Sequence, residues 1–109
     1  MSSELDGLER FAGPATLILA SLAQGPKHGY AITKDVEAFA GVRLQPGTLY
    51  GALSRLEHDG LIEALAGEGR RRPYDITPRG ARALEAQLKA QRRVSEVGLR
   101  RLSTGLATS

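Results

Sequence analysis

Tyr30 and Lys34 stand four residues apart, His28 lies just ahead of them, and Arg70, Arg71 and Arg72 follow Gly67 and Gly69. Hydroxyl, ammonium and guanidinium groups of this kind donate to phosphate oxygens and hold them in place. They offer little for bond cleavage. His28 and His58 are the two histidines, and neither is accompanied by a cysteine or a spaced carboxylate, so no metal site is expected. The serines are scattered and nothing resembles a nucleophile elbow or a phosphate loop; neither catalysis nor a cofactor is expected. The chain has no cysteine, which excludes a disulfide framework and thiolate chemistry.

A second group of residues lies in LQPGTLYGALSRLEHDGLI, residues 44–62. Wound as a helix with Leu49, Leu53 and Leu56 inward, this stretch places Gly47, Gly51, Ser54 and His58 on the far side. Thr48 and Arg55 fall on one flank and Tyr50 on the other. A glycine inside a helix costs about 1 kcal/mol relative to alanine, and that cost is understandable if a partner must come close to the helix backbone. The floor of a DNA major groove is such a partner, because it admits a helix whose leading residues are small or read base edges. An ordinary exposed face that tolerates glycine is the plainer alternative, and this helix alone leaves both open.

The elements that must carry these groups are marked by glycine and proline. From about Arg10 to Gln24, Phe11, Ala15, Ile18, Leu19 and Leu22 share one helical face, and Gly25-Pro26 ends the pattern. From about Tyr30 to Ala40, Ile32, Val36, Phe39 and Ala40 form a second apolar face, with Tyr30 and Lys34 opposite and Gly41 as the stop. Pro46 suits the first position of the third helix and Gly60 its end. The runs 61–65 and 71–77 then flank a short glycine-containing connection and read as a β-hairpin, with Pro73 in an edge-strand placement, its nitrogen outward. Thr77 as N-cap and Pro78 open a last helix to about Leu102. Its Ala81, Leu84, Leu88, Val94, Val97, Leu99 and Leu102 make more apolar surface than one hairpin can cover, which asks for a partner chain. The fold class is mainly α with a small β-hairpin (α+β), in the element order of a winged helix-turn-helix.

The 109 residues are 41% hydrophobic and 25% charged, a globular composition for one domain. Net charge is +3, but residues 1–69 carry −4 and residues 70–109 carry +7, so the positive charge is localised. No apolar run resembles a signal peptide or a membrane span, and a cytoplasmic protein without a membrane partner is expected.

Three blocks, GPKHGYAI at 25–32, PGTLYGALSRLEHDGLI at 46–62 and RRRPYDITPRG at 70–80, together resemble the PadR-like family of transcriptional regulators, in its short branch with a single C-terminal helix. The resemblance spans roughly residues 13–90, with the blocks in family order and spacing. It implies a homodimeric winged-helix protein that binds double-stranded DNA, usually as a repressor, with its last helix paired to the partner subunit. Two positions depart from the family pattern: Gln45 stands where a capping serine is common, and Gly51 where a proline often follows the Leu-Tyr pair.

The expectations are therefore specific. A DNA-binding domain covers residues 10–77 and a dimerisation helix residues 78–105. His28, Tyr30, Lys34, Arg70 and Arg72 meet the backbone, with Arg71 bonded within the protein, and Arg72→Ala flattens the salt dependence. Gln45, Thr48, Ser54 and Arg55 read bases, Tyr50 flanks them, and Gly47 and Gly51 permit close approach. Phe11, Leu84, Leu88, Val94, Val97 and Leu102 form the dimer contact. A small-molecule effector between the dimer halves is compatible with this and leaves no local motif. The rival is a winged-helix module that binds protein instead of DNA, using Tyr50, Tyr30 and the basic tail.

Overall fold

A computed structural model of the chain describes residues 13–67 and 72–108. Within them, helix α1 covers 13–22, α2 Gly29–Ala40, α3 Pro46–His58 and α4 Pro78–Thr108, while strands β1 (Ile62–Ala64) and β2 (Tyr74–Ile76) lie between α3 and α4. The mainly helical architecture with one antiparallel hairpin is the one the sequence implies.

Three short helices close around one core. α1 buries Leu17, Ile18, Leu19 and Leu22, α2 buries Ile32 and Val36, and α3 buries Leu49, Ala52, Leu53 and Leu56. Each set recurs at three- and four-residue spacing, so one stripe per helix leaves water. Phe11 lies outside the described residues. Phe39 departs from expectation: it is 51% exposed, and Ala40 is exposed as well. The packed stripe of α2 ends at Val36, and its last turn overhangs the core before Gly41, in the left-handed conformation (φ 70°), stops the helix with its N–H donating to the Glu37 carbonyl.

Residue Ser21, also buried, belongs to a polar tie that periodicity could not show. Its hydroxyl donates to Asp35 Oδ2 at 2.7 Å, and Lys27 Nζ donates to the Ser21 carbonyl at 2.6 Å. The end of α1 is thereby satisfied by a side chain and joined to α2.

The C-terminal end of α3 is a Schellman turn. Leu61 N–H donates to the Leu56 carbonyl at 2.9 Å, Gly60 N–H to that of Glu57 at 3.1 Å, and Gly60 takes φ 75°. The chain then enters β1, which pairs with β2 in the register Ile62 with Ile76, Glu63 with Asp75 and Ala64 with Tyr74. Beyond β2, on its other side, the backbone of Tyr74 exchanges hydrogen bonds with that of Lys27 at 3.0 and 2.9 Å. β2 is thus flanked on both sides, contrary to the edge placement that Pro73 implies. The carbonyl of Pro73 accepts the Leu65 N–H at 2.8 Å, so its nitrogen side faces β1, where the ladder ends for want of a returning donor.

Thr77 caps α4 as expected. Its hydroxyl accepts the Gly80 N–H at 3.0 Å and donates to the Gly60 carbonyl at 2.8 Å, tying the start of α4 to the end of α3. At Gly80 a Cβ would run into the Leu61 carbonyl oxygen. Leu84 is 6% exposed and packs in the protomer's own core, which leaves little of its surface for the dimer contact expected of it. Beyond it α4 runs on, and its 31 residues account for about 46 Å of length at the ordinary helical rise. Leu88, Val94, Leu99 and Leu102 are exposed along it, with Val97 half-buried.

Candidate nucleic-acid interface

The bare face of α3 is present as the wheel places it. Leu49, Leu53 and Leu56 are buried, and Gly47, Thr48, Gly51, Ser54, Arg55 and His58 are all exposed. A Cβ built at Gly47 or Gly51 meets nothing within 4 Å. No neighbour among the described residues therefore requires glycine at either position, and the loss of helix propensity is not offset by packing there. Glu57 is the one carboxylate of α3 and lies half-buried, off this face. The exposed side of the helix thus carries small, neutral and cationic groups and repels no polyanion.

The helix that precedes it contributes a second set. Tyr30 is 74% exposed, and the Lys34 ammonium lies 5.9 Å from the centre of its ring, so phenol and cation share one patch. His28 is exposed at the N-cap of α2, where its side chain makes no capping hydrogen bond. Gln45, exposed at the N-cap of α3, makes none either and is left to extend outward. Tyr50 differs from a free flank residue: it is half-buried, and its hydroxyl lies against the first turn of α2, only 2.7 Å from where a Cβ on Gly29 would stand. Its ring holds the two helices at their spacing.

Between α2 and α3 opens a cleft of about 400 Å³, with Leu44 and Leu49 in its lining and Tyr30, Thr33, Gln45 and Tyr50 beside them. Arg43 lines it too and was not singled out from the sequence. It is exposed in the turn between the helices and has no carboxylate at ion-pair distance among the described residues. Its signal was a single cation in a helix-turn-helix turn, which neither a charge run nor a helical wheel displays.

In the hairpin Arg72 departs from expectation. Arg70 and Arg71 lie outside the described residues. Arg72, assigned outward by the sequence, is engaged within the protein: Nη2 lies 3.5 Å from Glu57 Oε1, and its guanidinium carbon lies 5.7 Å from the centre of the Tyr74 ring. A side-chain hydrogen bond with Tyr74, and then the charge of Glu57, hold its pKa above the ordinary arginine value. The cause is local. Arg72 adjoins Pro73 and Tyr74, and Tyr74 is buried between β1 and Lys27, which fixes where the preceding side chain can go.

The described residues include no group of three His, Cys, Asp or Glu that could hold a metal ion, and no helix among them is long and apolar enough to cross a membrane.

Residues 18–86 match the model of the transcriptional regulator PadR-like family. Over 76 residues the chain is 42% identical to the transcriptional regulator Rv3488 of Mycobacterium tuberculosis, covering 67% of this chain and 70% of that protein. Over 79 residues it is 48% identical to a 37.1 kDa protein of transposon TN4556 from Streptomyces fradiae; that match takes in 72% of this chain but only 23% of the larger protein. Among solved structures it is similar to a PadR family transcription regulator from Clostridium difficile, with 31% identity and a TM-score of 0.73 over 82% of this chain and 97% of that one.

Proposed function

The chain belongs to the PadR-like family, whose members are DNA-binding transcriptional regulators and not enzymes, and from that premise we propose that it is a repressor which binds a pseudo-palindromic operator as a homodimer in the cytoplasm. In this reading residues 10–77 form the DNA-binding unit and residues 78–105 the dimerisation helix. The observation that carries it is the outer side of α3, which carries Arg55 and no carboxylate and is open at Gly47 and Gly51. Two copies of α3 enter successive major grooves, with half-sites about 10 bp apart or a multiple of that. Gln45, Thr48, Ser54 and Arg55 then stand toward base edges, while Tyr30, Lys34, His28, Arg43 and Arg70 meet phosphates.

The dimer is supported by α4, whose Leu88, Val94, Leu99 and Leu102 are left exposed among the described residues. A largely apolar groove of about 420 Å³, lined by Ala23, Ile76, Leu84, Leu88 and Arg92, runs beside them, and an effector enclosed there by the second subunit would alter the spacing of the two α3 helices.

Binding of labelled genomic fragments, measured by gel shift and fluorescence anisotropy across salt concentrations, tests this. Selected fragments should bind far more tightly than random duplex, with an affinity that falls linearly in log–log form with salt. Absence of any salt-dependent shift would transfer the reading to a protein-binding module.

A further inference from the structure

We infer that Arg72 and Glu57 form a strut that fixes the hairpin to α3, so that wing and recognition helix meet the duplex as one body and Arg72 positions the surface without touching phosphate. The inference rests on the DNA-binding reading above for its consequence, and on protein geometry alone for the strut itself.

The geometry is convergent. Glu57 lies in the last turn of α3, on the half-buried side away from Gly47 and Gly51, and Arg72 Nη2 reaches its carboxylate at 3.5 Å. The same guanidinium lies 5.7 Å from the Tyr74 ring centre, and Tyr74 is 5% exposed, held by Ala64 on one side and by the Lys27 backbone on the other. The arginine therefore joins a helix to a buried strand residue. At the same level the hairpin arms come together, since a Cβ on Gly67 would stand 2.6 Å from Arg72 Cα. β1 and β2 have three residues each, and so short a two-stranded sheet is marginal without further support. A link from its stem to α3 supplies that support. It also cancels the charge of the one carboxylate on α3, whose field would otherwise act on a nearby phosphate.

A phosphate contact and a strut make opposite predictions for Glu57. If Arg72 holds phosphate, removing the competing carboxylate frees it and strengthens binding. If Arg72 holds the hairpin, removing the carboxylate weakens binding. The experiment compares wild type with Glu57→Gln, Arg72→Gln, each charge reversal and the double exchange Glu57→Arg/Arg72→Glu. Operator and random duplex are titrated across salt, and amide hydrogen exchange is followed without DNA.

Both single neutral variants should lose operator affinity on the order of fivefold, the scale of one half-exposed pair in each of two subunits. Glu57→Gln should leave the salt slope unchanged, and the double exchange should recover binding that either reversal alone loses. Without DNA, amides of 62–65 and 74–76 should exchange faster in Glu57→Gln while those of α1 do not. Tighter operator binding by Glu57→Gln, with a salt slope flattened by about one per subunit in Arg72→Gln, would overturn the inference in favour of a phosphate contact. Unchanged hairpin exchange in Glu57→Gln would overturn it even if wild type binds its operator. Faster hairpin exchange in a protein that binds no duplex would sustain the strut and defeat the DNA reading.

Discussion

Replacing Gly51 with alanine adds one methyl group to the exposed side of α3. The methyl meets nothing within 4 Å, so the free protein has no clash to absorb. Alanine restores the helix propensity that glycine forfeits, about 1 kcal/mol at a position well inside the helix. For a domain of this size that should raise the thermal midpoint by about 4 °C, readable by circular dichroism. On the operator the sign reverses. In the proposed complex the methyl would occupy the space through which the helix backbone nears the base pairs, and α3 would have to withdraw or tilt. If each withdrawal costs about as much as one poor base contact, near the lower end of 1–3 kcal/mol, two subunits lose about 2 kcal/mol, roughly thirtyfold in affinity. Random duplex, held through phosphates, should lose much less. Fluorescence anisotropy on both duplexes measures the difference. An alanine variant that melts higher and binds the operator undiminished would refute the claim that the glycine serves close approach. A variant that melts lower would refute the claim that the space around Gly51 is free.

Arg43→Gln should weaken binding to operator and random duplex alike and reduce the salt slope by about one per subunit, measured by titration across salt. Arg55→Ala should instead relax preference at particular base pairs, by about 1–3 kcal/mol of discrimination, in a competition series of single-base operator variants. Leu84→Ala should destabilise the protomer by about 2–5 kcal/mol in chemical denaturation, because that side chain is buried in its own core. Leu102→Lys, at a side chain 63% exposed, should leave the protomer folded and lower the dimer fraction in sedimentation velocity.

What could be read from the sequence was what local chemistry decides. Gly41 and Gly60 end helices because a left-handed residue is wanted there, and Thr77 with Pro78 begins one because a hydroxyl cap and a missing N–H suit the first turn. The outward side of α3 followed from three leucines at helical spacing. What escaped was decided by elements distant in sequence. Phe39 has the right spacing for the core, but no wheel shows that the core stops at Val36. Leu84 and Leu88 look alike on α4, and only the reach of the protomer's core separates the buried one from the exposed one. Pro73 argues for an edge strand until Lys27, 46 positions earlier in the chain, is seen to pair with Tyr74. Arg72 looks like a wing cation until Glu57 is seen beside it. In each case the missing fact was a partner, and residue type alone cannot name one.

The glycines sharpen that point. Gly51 sits in the middle of α3 and Gly80 in the first turn of α4, and residue type alone does not show which of the two the fold requires. At Gly80 a side chain would strike the Leu61 carbonyl, so the fold itself demands glycine, because α4 must pass directly over the turn that leaves α3. At Gly51 the same construction meets open space. A glycine whose absent side chain has room spends stability without a structural return, and selection on folding alone would favour alanine there. The return must then come from a surface that arrives from outside the protomer. α3 presents such a position on the side that also holds Ser54 and Arg55 and lacks a carboxylate, and this coincidence of open space with side chains able to pair with base edges is what favours the proposal that the face meets the major groove of a duplex.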